Sequence, residues 1–574
     1  MKIKSRLIKS LAFLLFFSFV LYGCQKSPLS TSSNTAFESF TKDLFRADVS
    51  TTTLGLHYTL KNPDSYDIKM DTITFGSFQT DKTATLAALE NLEASLFSFP
   101  YNSLSEKNQL TYDILNDYIQ TAKKGVSFAL YEEPLNSVTG IQAQLPVLLA
   151  EYSFSNKAEV ETYLKLLETL PDYFDSLIGF EKEKSRAGLF MAPQIATSIM
   201  EQCEAFLSMG EENYLLSTFE ERLLNVPNLS ASDRQTFITQ NKKLLTTCIL
   251  PAYESLVSAL ETLQNTSKNQ GGLCHLPNGK DYYSYLISRD IGSNRTVEEL
   301  EKLVQSQMAD DLLSMQNLLA QNQLETAETS SPFTDSPKEM LNDLKMQITT
   351  AFPKPAPVKI EVKYVPTALQ DYLSPAFYLI PAIDNATENV IYINEAHASS
   401  GLSLFTTLAH EGYPGHLYQT TYFSSTNPDP IRSILNFEGY TEGWATYAEM
   451  CSYSLSPLKK EVSSLLQKNS SLTLGMYAAL DIGIHYHGWD DKKASQYVKN
   501  YGITENETIR DIYELIIADP GNYLKYYIGY VEFLELKKKM IEQQGSSFSQ
   551  KEFHQKILEI GPAPFSILEK YMLP

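Results

Sequence analysis

The chain has few cysteines, few basic residues relative to acids, and little apolar sequence of membrane-spanning length. Five cysteines occur among 574 residues without a C-x-x-C pair, so neither a zinc ribbon nor a disulfide-dense scaffold is predicted. One or two disulfides remain possible. Lysine and arginine number 47 against 68 aspartates and glutamates, which gives a formal net charge of −21. Such a protein repels polyanions, which excludes nucleic-acid binding.

The first residues resemble the signal peptide of a bacterial lipoprotein. A basic "MKIKSRLIK" precedes the apolar run "SLAFLLFFSFVLYG", which is too short to span a bilayer comfortably. The run ends in "LYGC", similar to a lipoprotein box. This implies removal of residues 1–23, lipid on Cys24, and a polar tether over 24–36 that holds the protein at the outer face of the cell membrane. An ordinary secretory signal that happens to contain a cysteine is the alternative.

The rest of the chain predicts a mainly α fold with one small sheet. Residues 37–350 carry apolar residues at three- and four-residue spacing, which is typical of amphipathic helices. Between 356 and 395, three short segments rich in β-branched and aromatic residues predict strands. Helical spacing then returns and continues to the C-terminus. We expect a single helical unit over 37–574, with the sheet and the candidate site in its second part, 351–574.

The stretch "LAHEGYPGHLYQ" contains two histidines at an unusual spacing for a metal site. On a straight helix His410 and His416 would differ by about 240° and roughly 9 Å, which is too far apart to share one zinc ion. Pro414 removes a backbone donor and Gly415 permits unusual dihedral angles. A break at this pair of residues would bring His416 back to the face of His410. The motif therefore predicts a zinc site with a built-in bulge.

A second block, "NFEGYTEGWATYAE" at 436–449, offers acidic ligands on a separate helix. Three glutamates fall near one helical face: Glu438, Glu442 and Glu449. Glu442 is the candidate third ligand. Either of the other two glutamates could bind the free nitrogen of a ligand imidazole. An edge strand of the small predicted sheet, just ahead of the histidine helix, would suit pairing with an extended peptide, as is common in zinc peptidases.

The combined set matches the requirements of a catalytic zinc. His410, His416 and Glu442 would supply two imidazoles and one carboxylate and leave one position open for water. Glu411, next to a ligand, is placed to act as general base. The alternative is that both histidines serve packing and capping.

Four blocks together resemble the bacterial domain-of-unknown-function family 885: "HEGYPGH", "EGWATYAE", "LDIGIHYHGW" and "DPGNYLKYYIG". That family is grouped with gluzincin-type metallopeptidases, whose helical members act on short peptides. The resemblance implies a zinc-dependent peptidase in which His485 and Tyr526 stabilise the oxyanion. His487 and Tyr527 are the neighbouring alternatives, and Asn522 stands where the family more often has glutamine.

Two rival functions remain open. One is a zinc amidohydrolase that acts on a cell-wall peptide or an N-acyl amino acid, and the other is a non-catalytic peptide-binding lipoprotein. His397 is a candidate substrate contact. No chemical role is assigned to three isolated histidines: His57, His275 and His554. The choice between endo- and exopeptidase, the side-chain preference and the oligomeric state cannot be predicted from these patterns.

Overall fold

A computed structural model describes residues 32–573, apart from 71, 322–331, 366, 368, 369, 371, 372, 398 and 399. The predicted signal peptide, Cys24 and most of the predicted tether lie outside this range. Helix α1 begins at Ser33, with the Ser32 hydroxyl accepting a hydrogen bond from the Thr35 amide. The last four residues of the predicted tether, 33–36, are therefore helical.

Amphipathic helices make up the part of the chain before the sheet. Most begin at a residue whose side chain caps the first turn, such as Ser105, Asn156 and Ser230. Their bounds are α1 Ser33–Val49, α2 Thr53–Thr59, α3 Lys82–Phe97, α4 Glu106–Gly125, α5 Ile141–Glu151, α6 Lys157–Glu168, α7 Leu170–Ala187, α8 Pro193–Ser208, α9 Tyr214–Leu224, α10 Ala231–Leu244, α11 Leu250–Leu263, α12 Gly279–Leu286, α13 Val297–Gln321 and α14 Pro337–Gln347. A π-helical turn, Ile287–Ile291, follows α12.

A small sheet separates these helices from the rest, as the sequence predicts. Its strands are β1 Lys359–Tyr364, β2 Ala376–Leu379 and β3 Glu388–Ile393. The order is β1-β3-β2, with β1 parallel and β2 antiparallel to β3. Among the described residues β2 is thus an edge strand, with no strand paired to the edge that faces away from β3.

Helices again dominate after the sheet, which confirms the predicted mainly α fold. They are α15 Gly401–Glu411, α16 His416–Ser425, α17 Glu438–Ser452, α18 Lys460–His485, α19 Asp491–Lys499, α20 Asn506–Ala518, α21 Asn522–Gln544, α22 Gln550–Ile560 and α23 Phe565–Met572. In the described part of the chain, no helix has the length and apolar character needed to cross a membrane. Each cysteine within that part is a free thiol.

Helices α17 and α21 cross at very close range through facing glycines. A Cβ atom added to Gly443 would lie 2.4 Å from the carbonyl carbon of Gly529. Real Cβ atoms do not approach backbone so closely, so both positions need glycine. The crossing matters for the site because α17 carries three of the candidate glutamates and α21 carries Tyr526.

The glycine crossing generates a stability prediction. Gly443→Ala should lower the free energy of unfolding by about 1–3 kcal/mol, because the new methyl group overlaps the backbone of Gly529. Gly179→Ala is the matched control, since Gly179 lies exposed within α7 with open space around it. It should raise stability by roughly 0.5–1 kcal/mol. Urea unfolding of both variants checks this, and equal midpoints would contradict the steric argument.

Candidate metal centre

The break predicted from Pro414 and Gly415 is confirmed: α15 ends at Glu411 and α16 begins at His416. The Tyr413–Pro414 peptide bond is cis, and the Gly415 amide donates to the carbonyl oxygen of Ala409 at 2.9 Å. A Cβ atom at position 415 would lie 1.8 Å from the His410 carbonyl oxygen, so only glycine fits there. The two histidines thus belong to two helices joined by a tight bulge.

Two imidazoles and a carboxylate meet at this bulge. The His410 and His416 Nε2 atoms lie 3.7 and 3.3 Å from the same oxygen, Oε2 of Glu442. Their ring centroids are 4.8 Å apart and nearly perpendicular. Ligand atoms around a tetrahedral zinc ion, at bond lengths of about 2.0–2.1 Å, are separated by roughly 3.3–3.5 Å. The donor set and its spacing therefore fit a zinc ion.

Glu411 also reaches the pair of histidines. One ligand atom from each of His410, Glu411 and His416 lies within 4.8 Å of the other two. Oxygen Oε2 of Glu411 accepts a hydrogen bond from the Tyr378 amide of β2 at 2.9 Å. Glu442 is the better third ligand, because a single one of its oxygens approaches both imidazoles. Glu411 is better placed to lie beside a bound ion than to be its ligand.

The two remaining glutamates of α17 have different partners. The Nδ1–H group of His410 donates to Oε2 of Glu449 at 3.1 Å, which leaves Nε2 directed at Glu442. Glu438 instead forms a buried ion pair with Lys525 of α21. Of the two candidates for the free imidazole nitrogen, the structure brings only Glu449 to it.

The carboxylates around His410 favour a positive charge on its imidazole ring. Burial alone would lower the pKa of His410, but its hydrogen bonds to Glu442 and Glu449 and the charge of Glu411 raise the pKa to about 10. The imidazole is therefore held where a cation, either a proton or a metal ion, is stabilised. A metal ion would have to displace that proton.

Tyr526 lies at the same cluster. Its ring stacks on that of His410 with 6.2 Å between the ring centroids, and the residue is 8% exposed. Tyr527, the alternative, is fully buried, and its hydroxyl lies 2.8 Å from where a Cβ on Gly475 of α18 would stand. The structure thus brings Tyr526, and not its neighbour, to the candidate ligands.

The predicted oxyanion role of His485 is not supported. Its Nδ1 atom accepts the Leu273 amide at 3.1 Å, and its Nε2–H group donates to the Ile516 carbonyl oxygen at 2.9 Å. The side chain is 1% exposed, and burial lowers its pKa to about 4. Both nitrogens are used within the core, which leaves no donor for a substrate. His487 lies near the surface, 3.1 Å from Glu301.

The other histidines show no metal-binding arrangement among the described residues. His554 bonds the Ala351 carbonyl oxygen and the Tyr447 hydroxyl, so it ties helices together. His57 stacks on Tyr152 with 3.5 Å between ring centroids. Asn522 is the buried first residue of α21.

Sequence reasoning missed Asp481. This carboxylate is fully buried on α18, accepts the Tyr283 hydroxyl at 2.6 Å, and accepts the Gly521 amide with both oxygens at 3.0 Å. Burial raises its pKa to about 7. It fixes the start of α21 and so the position of Tyr526. The available signal was an aspartate inside the apolar stretch "LDIGIH".

Fold and site together define a mainly helical protein with a buried histidine–glutamate cluster of the kind that binds a metal ion. The chain belongs to the bacterial protein family of unknown function DUF885, whose sequence model matches residues 49–572. This confirms the resemblance in the sequence. Among functionally curated proteins, none is detectably similar to the chain.

Two solved structures share the fold. A protein of Colwellia psychrerythraea, provisionally classed as a lipoprotein, is 19% identical, with a TM-score of 0.82 and coverage of 94% of this chain and 98% of its own. A protein of Shewanella oneidensis with the same provisional class and unknown function is 16% identical, with a TM-score of 0.63 and coverage of 96% and 100%. At these identities the likeness establishes the fold alone.

The contact between Glu449 and His410 generates a metal-affinity prediction. Glu449→Ala should weaken zinc binding by about 10–100-fold, because the imidazole loses the acceptor that orients it. Glu461→Ala, which removes an exposed acid from α18, should leave the affinity unchanged. Competition against a chelator of known zinc affinity measures both. An unchanged affinity in Glu449→Ala would show that this hydrogen bond does not support a metal ligand.

Proposed function

We propose that the protein is a zinc-dependent hydrolase that cleaves peptide bonds in short peptides at the outer face of the cell membrane. The observation that carries the proposal is the convergence of His410 and His416 on one oxygen of Glu442. A structural role for two packing histidines does not require a shared carboxylate or a second carboxylate, Glu449, on the far side of one ring.

In this proposal the residues around the cluster have separate roles in the hydrolysis of the peptide bond. Zinc bound here would supply Lewis acidity, which polarises a carbonyl group and makes water acidic near neutral pH. Glu411 would take the proton from the attacking water and give it to the leaving amine. The Tyr378 amide holds one oxygen of Glu411 and so orients the other. Tyr526, stacked beside His410, would donate its hydroxyl hydrogen to the carbonyl oxygen as charge develops there.

Burial of the cluster supports a small substrate. His410, Glu411, His416 and Glu442 are each at most 8% exposed. The surface of a folded protein could not reach groups so enclosed, whereas a short, extended peptide could. The edge of β2 that faces away from β3, whose Tyr378 amide donates to Glu411, would offer such a peptide backbone partners next to the proposed base.

The proposed location follows from the first residues. The sequence before residue 24 has the features of a lipoprotein signal peptide, so lipid on Cys24 would anchor the enzyme to the membrane. Two proteins of the same fold are also provisionally classed as lipoproteins, which is consistent with that location.

Replacement of the proposed base should separate zinc binding from catalysis. Glu411→Gln keeps the size of the side chain but cannot accept a proton, so peptide hydrolysis should fall by about 10²–10⁴-fold. Both this variant and the wild type should hold about one zinc ion per chain. Elemental analysis and a panel of short peptides provide the measurement. Full activity in Glu411→Gln would refute the mechanism.

Replacement of a proposed ligand should remove the metal. His416→Ala leaves an incomplete ligand set, so the purified protein should contain little zinc and show no hydrolysis. His487→Ala is the control, because it removes a histidine near the surface that pairs with Glu301. Stoichiometric zinc in His416→Ala would place the site elsewhere. Peptide binding without turnover in a wild-type protein that holds no metal would establish the binding lipoprotein instead.

A further inference from the structure

A cavity of about 500 Å³ lies beside the candidate metal centre. Glu438, which lines it, is one turn before Glu442 on α17, and Lys525, which also lines it, directly precedes Tyr526 on α21. Because a helix rises about 1.5 Å per residue, Glu438 and Glu442 are separated by only about 6 Å along α17. The end of this central cavity that Glu438 and Lys525 line is therefore next to the proposed reaction centre.

Carboxylates outnumber cationic side chains on the walls of the central cavity. Arg289 and Lys525 are the cations among the described lining residues, and both are already paired: Arg289 with Glu132 and Asp290, and Lys525 with Glu438. The lining carboxylates number six: Asp81, Glu132, Glu133, Asp290, Glu438 and Asp519. Glu133 also pairs with Lys184 behind the cavity wall, and Asp81 is exposed, so the six acids exceed the three cations by three. Such an excess of negative charge is costly where it is buried, unless a cation compensates it.

The apolar part of the same wall is aromatic. Seven rings line the central cavity: Phe75, Phe78, Tyr118, Tyr173, Phe180, Tyr282 and Tyr285. Aromatic faces attract cations through their quadrupole, and the guanidinium of Arg289 already lies 5.3 Å from the ring centre of Tyr285. Rings and surplus carboxylates are independent features that favour the same kind of ligand.

We propose that the central cavity binds a cationic group of the peptide substrate, either its α-ammonium group or a lysine or arginine side chain. The group would sit among the rings and carboxylates while the bond to be cleaved reaches the metal centre. The identification of this ligand as a substrate rests on the proposed function, whereas its positive charge is inferred from the residues that line the cavity. A peptide that carries an anionic group at that position would be rejected.

Binding can be measured without turnover in the Glu411→Gln protein. Calorimetry at about 0.15 M salt would compare tetra-alanine amide with a free amino terminus, its N-acetyl form, and an N-acetyl form with one lysine. At least one cationic peptide should bind about tenfold more tightly than the neutral one. Preference for the first identifies the α-ammonium group, and preference for the third identifies the side chain. Equal affinities, or no binding of any peptide, would overturn the proposal.

The overall negative charge of the protein would also attract a cationic peptide. A positive charge is therefore introduced by substitution at two positions, one in the cavity and one outside it. Ala84 and Ala87 are both exposed on α3, but only Ala84 lines the central cavity. In the Glu411→Gln background, Ala84→Arg should abolish most of the preference, whereas Ala87→Arg should preserve it. Ala84→Met, which adds length without charge, should also preserve it. Equal effects of the two arginine variants would overturn the proposal.

Failure of this inference can be told apart from failure of the proposed function. Hydrolysis by wild-type protein without any preference for a cationic peptide would overturn the cavity assignment alone. A preference for cationic peptides that Ala84→Arg abolishes, together with no hydrolysis by zinc-loaded wild-type protein, would refute the hydrolase and support the cavity assignment.

Discussion

The hydrogen bond from the Trp444 indole to the carbonyl oxygen of Pro414, at 2.9 Å, joins the helix of one proposed ligand, Glu442, to the bulge between the other two, His410 and His416. Trp444 is fully buried two residues after Glu442, so its position and that of the glutamate are set together. The bulge in turn sets the direction in which α16 leaves. If Pro414 lost this contact, the distance between His416 and Glu442 would no longer be fixed by backbone and core.

A second set of contacts fixes helix α21, which carries Tyr526 to the candidate metal centre. Helix α21 starts at the Gly521 amide bound by Asp481 and is tied to α17 by the buried pair of Lys525 and Glu438. Removing one member of a buried ion pair is strongly unfavourable, by about 3–5 kcal/mol, because the other charge is left without compensation. Tyr526 follows directly after Lys525, so the same contacts that stabilise the helix pair also set the position of its ring against His410.

Local patterns were enough to predict the fold class, the three strands and the break between His410 and His416. Each depends on spacing or on residues close in sequence, such as Pro414 and Gly415. The choice between Glu438 and Glu449 depends on how α17 is rotated against α15 and α21, which spacing within one helix does not determine. The partners of His485 are equally non-local: Leu273 is 212 residues away in the chain. Similarity of a short block could not show that both ring nitrogens were already bonded.

The bulge between the histidines also sets a limit on the length of this segment. The bulge brings the start of α16 back against the end of α15, with the Gly415 amide bonded to the Ala409 carbonyl oxygen, so one insertion or deletion between Glu411 and His416 would move the second imidazole away from Glu442. Gly415 leaves no room to absorb the change, since its α-carbon hydrogens already face the His410 carbonyl oxygen. Related chains can therefore vary in their loops far more readily than in the number of residues that separates these two histidines.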